Sequence, residues 1–314
     1  MDEPSDASEG GSVQEHLEPA DAFALLGDET RLEIVRTLAE WAAAEPPTFA
    51  ELRRSVGVDD PGRFNYHLGR LRGHFLVKDG ESYRTTYAGE KVYEALATGT
   101  FTERVDERSG PAGHDCPLCG TAMEARYADG SLSMSCPTHD EVVRVTLPPR
   151  AAAGRDLSGL VRLADLEARR THNHLTEGVC PRCWATLSEP SYTAEVPDTW
   201  AAADEDDDGS ESSPGVLVRF DCENCGTSLG SSTELFLSMT ADGVAFFADH
   251  GVDALERGVL SLPSEFDHSE SRLRRDESGE VVGATVAATL DGETLTAELD
   301  ERAGLVCASR GPAD

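Results

Sequence analysis

Long apolar runs are missing from this sequence. No stretch approaches the roughly 20 apolar residues that a membrane-spanning helix needs, so a membrane helix is excluded. The first 20 residues hold six acids, no Lys or Arg and no apolar segment, and nothing there has the form of a secretory signal. Catalytic and phosphate-binding signatures are missing as well: there is no P-loop, GxGxxG, GxSxG or HExxH. Lysine is scarce. Lys78 and Lys91 are the only two, and the other 25 of the 27 basic residues are arginines. The expectation is a soluble, cytoplasmic protein that is not an enzyme and has no membrane partner.

What is abundant is acid. Asp and Glu number 59, and the net charge is −32. Such a chain repels itself in dilute buffer and relaxes when salt screens it. That suits a protein kept soluble in a very salty cytoplasm; an acidic protein that avoids nucleic acid is the alternative left open by charge alone. Distribution is more informative. The first 20 residues carry −6, residues 21–100 only −3, and residues 101–314 carry −23. Asp60 to Phe75 holds three arginines against one acid, so the acid sits away from that segment.

A length of 314 residues suits about two domains. The predicted class is α+β. Residues 1–20 read as a disordered acidic tail, 21–100 as a helical domain with one hairpin, and 101–113 as a linker. From 114 onward cysteine pairs punctuate the chain: a first ribbon over 114–147, a connecting helix over 148–176, and a second ribbon over 177–232. The acidic run 201–215 is too poor in apolar side chains to pack. Residues 233–314 read as a small α+β region.

In the helical domain, Asp28 or Thr30 can cap a helix, with Thr30 and Glu33 in capping-box spacing. Leu32, Val35, Leu38 and Ala42 recur on one face. Thr48 and Glu51 form a second box, and Asp60-Pro61 opens a third helix. On that helix Phe64, Leu68, Leu71 and Phe75 share one face, while Arg63, Asn65, Tyr66, Gly69 and Arg70 share the other. Arg can pair with guanine, Asn with adenine, and Tyr with phosphate or a thymine methyl. Asp79-Gly80 then predicts a type I′ hairpin, a wing that places Lys78 and Arg84 near a nucleic-acid backbone. The pattern is a winged helix-turn-helix for double-stranded DNA.

The segments ALLGDETRLEIVRTL and FNYHLGRLRGHFLVKDGESYRTTYAGEKV resemble the ArsR-like winged helix-turn-helix regulators, particularly the form found in salt-loving archaea. The resemblance implies a sequence-specific transcriptional regulator that is a homodimer through its outermost helices. Glu29 stands where that family often has Pro. The third helix carries no cysteine pair, so the family's thiolate metal-sensing site is not carried over.

Eight cysteines in a reducing compartment favour metal over disulfides. Cys116-Pro-Leu-Cys119 and Cys136-Pro-Thr-His139 form one candidate set, with His114 as a nearby substitute for His139. Cys180-Pro-Arg-Cys183 and Cys222-Glu-Asn-Cys225 form a second. Two thiolates two residues apart reach one Zn²⁺ from a single turn, and a second knuckle completes the tetrahedron. Two structural zinc ions are expected. Cys307, in an apolar stretch, reads as a buried strand residue.

Near the C-terminus, Asp291-Gly292 predicts a hairpin and DGVAFFADHGVD a helix closed by Gly251. His250 is read as facing the last carbonyls of that helix rather than as an acid–base partner of Asp249. This FFADHG-containing, Cys-rich portion resembles the uncharacterised C-terminal domain of the same regulators, a resemblance that identifies no ligand; if the chain is a regulator, this half is expected to dimerise or sense an effector. A second functional reading is an adaptor of the transcription machinery, using the winged helix and ribbons to bind proteins.

Overall fold

The computed structural model describes residues 17–41, 44–116, 120–138, 140–194, 215–254 and 256–313. The protein is mixed α+β and divides into two compact units, residues 1–102 and 103–314. No helix among the described residues is long and apolar enough to cross a membrane.

The first unit runs α1 (Pro19–Leu26), α2 (Glu29–Ala39), α3 (Phe49–Val56), α4 (Pro61–Leu71), β1 (Leu76–Asp79), β2 (Ser82–Thr85) and α5 (Tyr87–Ala97). α1 begins inside the segment expected to be an acidic tail. Asp28 caps α2 by accepting from the Arg31 amide at 3.0 Å, while Thr30 lies within the helix. Thr48 and Glu51 close a reciprocal box on α3, and Asp60 accepts from the amides of Gly62 and Arg63 ahead of α4. Ile34, Val35, Leu38, Leu52, Phe64, Leu68, Leu71, Phe75, Leu76 and Tyr83 form the core. Phe49 meets Phe64 edge-on at 5.1 Å.

The hairpin differs in turn type from the expectation. Asp79 pairs with Ser82, which leaves Gly80 and Glu81 in the turn. Only Gly80 has a positive φ, of 60°, the pattern of a type II′ turn with Gly first. Counting Asp-Gly as the turn pair misplaced it by one residue.

The second unit begins with an antiparallel meander of β3 (Arg108–Asp115), β4 (Ala122–Ala128), β5 (Ser131–Cys136) and β6 (Asp140–Thr146). Residues 108–113, expected as linker, therefore belong to a paired strand: its Gly and Pro sit on an edge, where the missing donor of Pro111 is tolerated. A short α6 (Pro149–Ala152) and the 20-residue α7 (Leu157–Thr176) follow. Then come β7 (Ser191–Thr193), β8 (Leu217–Asp221) and β9 (Ser228–Ser232), which form a three-stranded sheet. Two helices, α8 (Thr233–Met239) and α9 (Ala241–Asp249), lead to a 3-10 helix (Val259–Glu265). The last sheet is the meander β10 (His268–Arg275), β11 (Val281–Leu290), β12 (Glu293–Leu299) and β13 (Leu305–Pro312).

The predicted hairpin at Asp291-Gly292 is present, with both residues at positive φ as a type I′ turn requires. α9 is capped by Thr240, and Gly251, at φ 77°, follows its end. The segment expected as the first ribbon shares one core with the connecting helix and the C-terminal region, while the second packs in its own cluster with Leu175, Phe236 and Leu299. Met123, Tyr127, Leu132 and Met134 of the first sheet pack in one cluster with Leu160 of α7, Phe246 and Phe247 of α9, and Val286 and Leu295 of the last sheet. Cys307 is a correction. It is exposed, because β13 is the edge strand and leaves Val306 and Cys307 outward. The apolar run had suggested a strand covered on both faces.

Candidate functional site

α4 sorts its residues into two faces. Phe64, Leu68 and Leu71 are buried, and Arg63, Asn65, Tyr66, Gly69 and Arg70 are all exposed. Tyr66 is 60% exposed despite its size. Neither Arg63 nor Arg70 closes a side-chain ion pair among the described residues. His67 is the residue that sequence reasoning missed. It lies within the apolar arc of α4 and is 7% exposed, with Nδ1 3.3 Å from Asp28 Oδ1. Burial opposes ionisation of Asp28, but the Arg31 amide, His67 and the Arg31 charge outweigh it and hold the carboxyl below its usual range. One carboxylate thus caps α2 and anchors α4. The signal was readable: position 67 lies three residues after Phe64 and four before Leu71.

On the hairpin, Lys78 pairs across from Tyr83, and Arg84 from Val77. Alternation therefore places Lys78 and Arg84 on opposite faces. Both are exposed, and Arg84 Nε lies 3.4 Å from Asp79 Oδ2.

The second cysteine set assembles. The Sγ atoms of Cys180, Cys183, Cys222 and Cys225 all lie within 4.8 Å of one another. Cys180 and Cys225 are 3.8 Å apart, and Cys183 and Cys222 3.5 Å. Four sulfurs at Zn–S distances of about 2.3 Å on a tetrahedron stand about 3.8 Å apart, so the donor set fits a structural zinc ion. Hydrogen bonds from the hydroxyl and amide of Thr227 bring the Cys225 thiol down to about 6. The Cys225 amide favours the Cys222 thiolate, yet burial and the Cys183 thiol push Cys222 up to about 11.

Backbone geometry explains the knuckles. The Cys180 amide donates to the Ala185 carbonyl at 2.8 Å, and the Cys180 carbonyl accepts from the Trp184 amide at 2.9 Å. Cys222 repeats this with Thr227 and Gly226 at 2.9 and 2.8 Å. The residue four past the first cysteine is left-handed in each: Trp184 at φ 65° and Gly226 at 69°. Gly is the default for such a position, so Trp184 is the outlier.

For the first set, Cys119 and His139 lie outside the described residues. Cys116 and Cys136 are buried. Cys116 has the knuckle pattern: its amide donates to Thr121 and its carbonyl accepts from Gly120, both at 2.8 Å, with Gly120 at φ 70°. His114 faces Asp165 instead, with Nε2 at 3.7 Å from the carboxylate. Asp165 also accepts from the Leu260 amide at 3.0 Å. Burial raises the Asp165 carboxyl, against the pull of that amide, His114 and Arg169.

Asp249 and His250 do not pair. Asp249 accepts from Arg310 at 2.6 Å, while His250 Nδ1 lies 2.8 Å from the Phe246 carbonyl one helical turn back. His172 of α7 is more unusual. It is 7% exposed, its Nδ1 has no partner among the described residues, and it meets Phe236 edge-on at 4.6 Å. Burial, aided by the Arg169 charge, pushes its pKa down to about 4. Below pH ~6.5 the unfolded chain takes up a proton that the folded chain refuses until about pH 4, so stability falls with pH across that window. The full cost is about 3 kcal/mol. Urea midpoints at pH 7 and pH 5 should therefore diverge more for the native protein than for His172→Leu; equal divergence would contradict this.

A family model described as a domain of unknown function (DUF7351) matches residues 113–305. A second, also described as a domain of unknown function (DUF7347), matches residues 19–96. No curated protein and no solved structure matches the chain.

Proposed function

The chain belongs to the DUF7351 family, and we propose that it is a sequence-specific DNA-binding transcriptional regulator of the ArsR-like kind. Residues 19–100 act as a winged helix-turn-helix: α3 and α4 are the two crossed helices, β1 and β2 the wing. The observation that carries the reading is the exposed face of α4, where Arg63, Asn65, Tyr66 and Arg70 stand free while the opposite face fills the core. Arg63 sits in the first turn, the part of a recognition helix that meets base edges. α1 and α5 are the outermost helices of the unit and would pair two copies, a role suited to Phe23 and Tyr87, both largely exposed.

The second unit supplies a zinc-stabilised scaffold. Cys180, Cys183, Cys222 and Cys225 hold one zinc ion, and closure by four protein ligands leaves no open position for catalysis. Cys116, Cys119, Cys136 and His139 hold a second; the knuckle at Cys116 supports this. A bound ion there would fix the knuckle turns in a structural role.

Binding to a selected duplex and to its scrambled counterpart, measured across salt, tests the reading. We expect preference for the selected duplex and a shallow salt slope, because few phosphates are neutralised. Equal, steeply salt-sensitive binding to both, with RNA polymerase co-purifying, would instead indicate the adaptor role.

A further inference from the structure

One segment of the second unit, built around α7, departs from the unit's acidity. From Arg150 to Trp184 there are six arginines and four acids, while the rest of the unit holds 36 acids and 11 bases. One of those four acids, Asp165, is turned inward to face His114 and Leu260, and a second, the exposed Asp156, is engaged in capping α7 through the Gly159 amide. On α7 the exposed positions Arg162, Leu166 and Arg170 succeed one another at intervals of four, so they form one row. Leu166 is 64% exposed. At the start of the row, Arg155 and Arg162 line an open cavity with Gly154, Asp156, Gly159 and Leu163. At its far end, His174 of α7 meets Trp184 edge-on at 4.8 Å.

Trp184 is the least expected residue of the row. It occupies the left-handed position that the two sister knuckles give to Gly, and 67% of it is exposed. An L residue there is strained, and a large exposed indole adds nothing to the core. Strain tolerated for a ring that lies outside the core, against His174, points to a use for the ring. Its knuckle is held by the cysteine cluster, and Arg182 is exposed on the same turn. Arg155, Arg162 and Arg182 close no ion pair among the described residues, whereas Arg170 is paired with Glu167 on the same helix.

We propose that this face of the second unit binds single-stranded nucleic acid: Arg155, Arg162, Arg170 and Arg182 follow the phosphates, and one base stacks on Trp184. Charge selects an anionic partner for the row, and the indole selects one with planar rings over an acidic peptide. Stacking does not depend on charge. It therefore persists in strong salt, where the repulsion of an acidic unit is screened to a few ångströms. The proposal does not rest on the reading of α4.

The test uses the full chain at molar salt, with the anisotropy of a labelled dT oligomer and the tryptophan emission of the protein as readouts. The oligomer should bind and quench. Trp184→Gly, which restores the residue of the sister knuckles, should keep or raise the melting temperature yet weaken binding about 10-fold and remove the quench. Arg162→Gln with Arg170→Gln should weaken binding and flatten the salt slope. Three outcomes overturn the proposal: no binding, unchanged affinity in Trp184→Gly, or equal displacement of the oligomer by duplex DNA or polyglutamate.

Discussion

Replacing Cys222 by Ser should unfold the region around β8 and β9 and release one equivalent of zinc. Cys180 and Cys222 are both buried, and they pack in one cluster with Leu175, Val218, Phe220 and Phe236. Phe220 and Phe236 stack within that cluster at 5.8 Å. β7 and β9 have few apolar residues of their own, so the metal supplies much of what orders them. A structural zinc site contributes on the order of 10 kcal/mol, more than most whole domains have to spare. The loss should reach the main core through Phe236, because α8 carries both Phe236 and Leu237 and Leu237 belongs to the larger cluster. Zinc content and thermal unfolding of native and Cys222→Ser proteins check this. Native protein should yield two zinc ions per chain if both sets close, and one if only the described cluster does; a metal-free protein with unchanged unfolding contradicts the assignment. Acid should act in the same direction, since thiolates must be deprotonated to hold the ion.

The second large effect concerns DNA. Arg63→Ala and Arg70→Ala each remove an exposed guanidinium that closes no ion pair among the described residues, so the fold should not register the change. A bidentate Arg–guanine pair contributes about 1–3 kcal/mol of discrimination. Each substitution should therefore weaken operator binding about 10-fold or more, and the double variant about 100-fold. Phe64→Ala is the contrasting control: it empties a fully buried site, and it should cost about 3–5 kcal/mol of stability. Selective loss of affinity in the arginine variants, with unchanged melting, is what separates a reading face from a solvated one.

The first unit was largely legible because its signals are local. Asp60-Pro61, the box at Thr48 and Glu51, and the spacing of Phe64, Leu68 and Leu71 each lie within one or two helical turns. Where that reading left alternatives open or slipped, contacts beyond the local sequence decided. Asp28 was chosen over Thr30 as the cap of α2, in a place where its carboxylate also meets His67. The type II′ turn followed from the register between Leu76 and Thr85, which dipeptide counting cannot see.

The second unit was legible in its cysteine spacing and its final hairpin, and opaque in its assembly. Ribbons are usually independent modules, and nothing local shows that Met123 and Leu132 share a core with Phe246 and Val286. Those contacts join residues more than 100 positions apart. Edge position misled at both ends of the unit: residues 108–113 looked like linker and Cys307 looked buried, because a strand at a sheet edge has neither the pattern nor the cover of a central one. Trp184 carried a signal that went unread. Its position four past Cys180 matches Gly120 and Gly226, and only the shared backbone turn shows what a Trp there gives up.

The central proposal for this protein is that α4 reads DNA sequence. Genome-wide occupancy of the native chain and of the Arg63→Ala, Arg70→Ala variant tests it most directly. Discrete sites that share a short motif are expected, with occupancy lost in the variant at equal protein level. Occupancy that follows RNA polymerase without a motif, and that the variant retains, would contradict it.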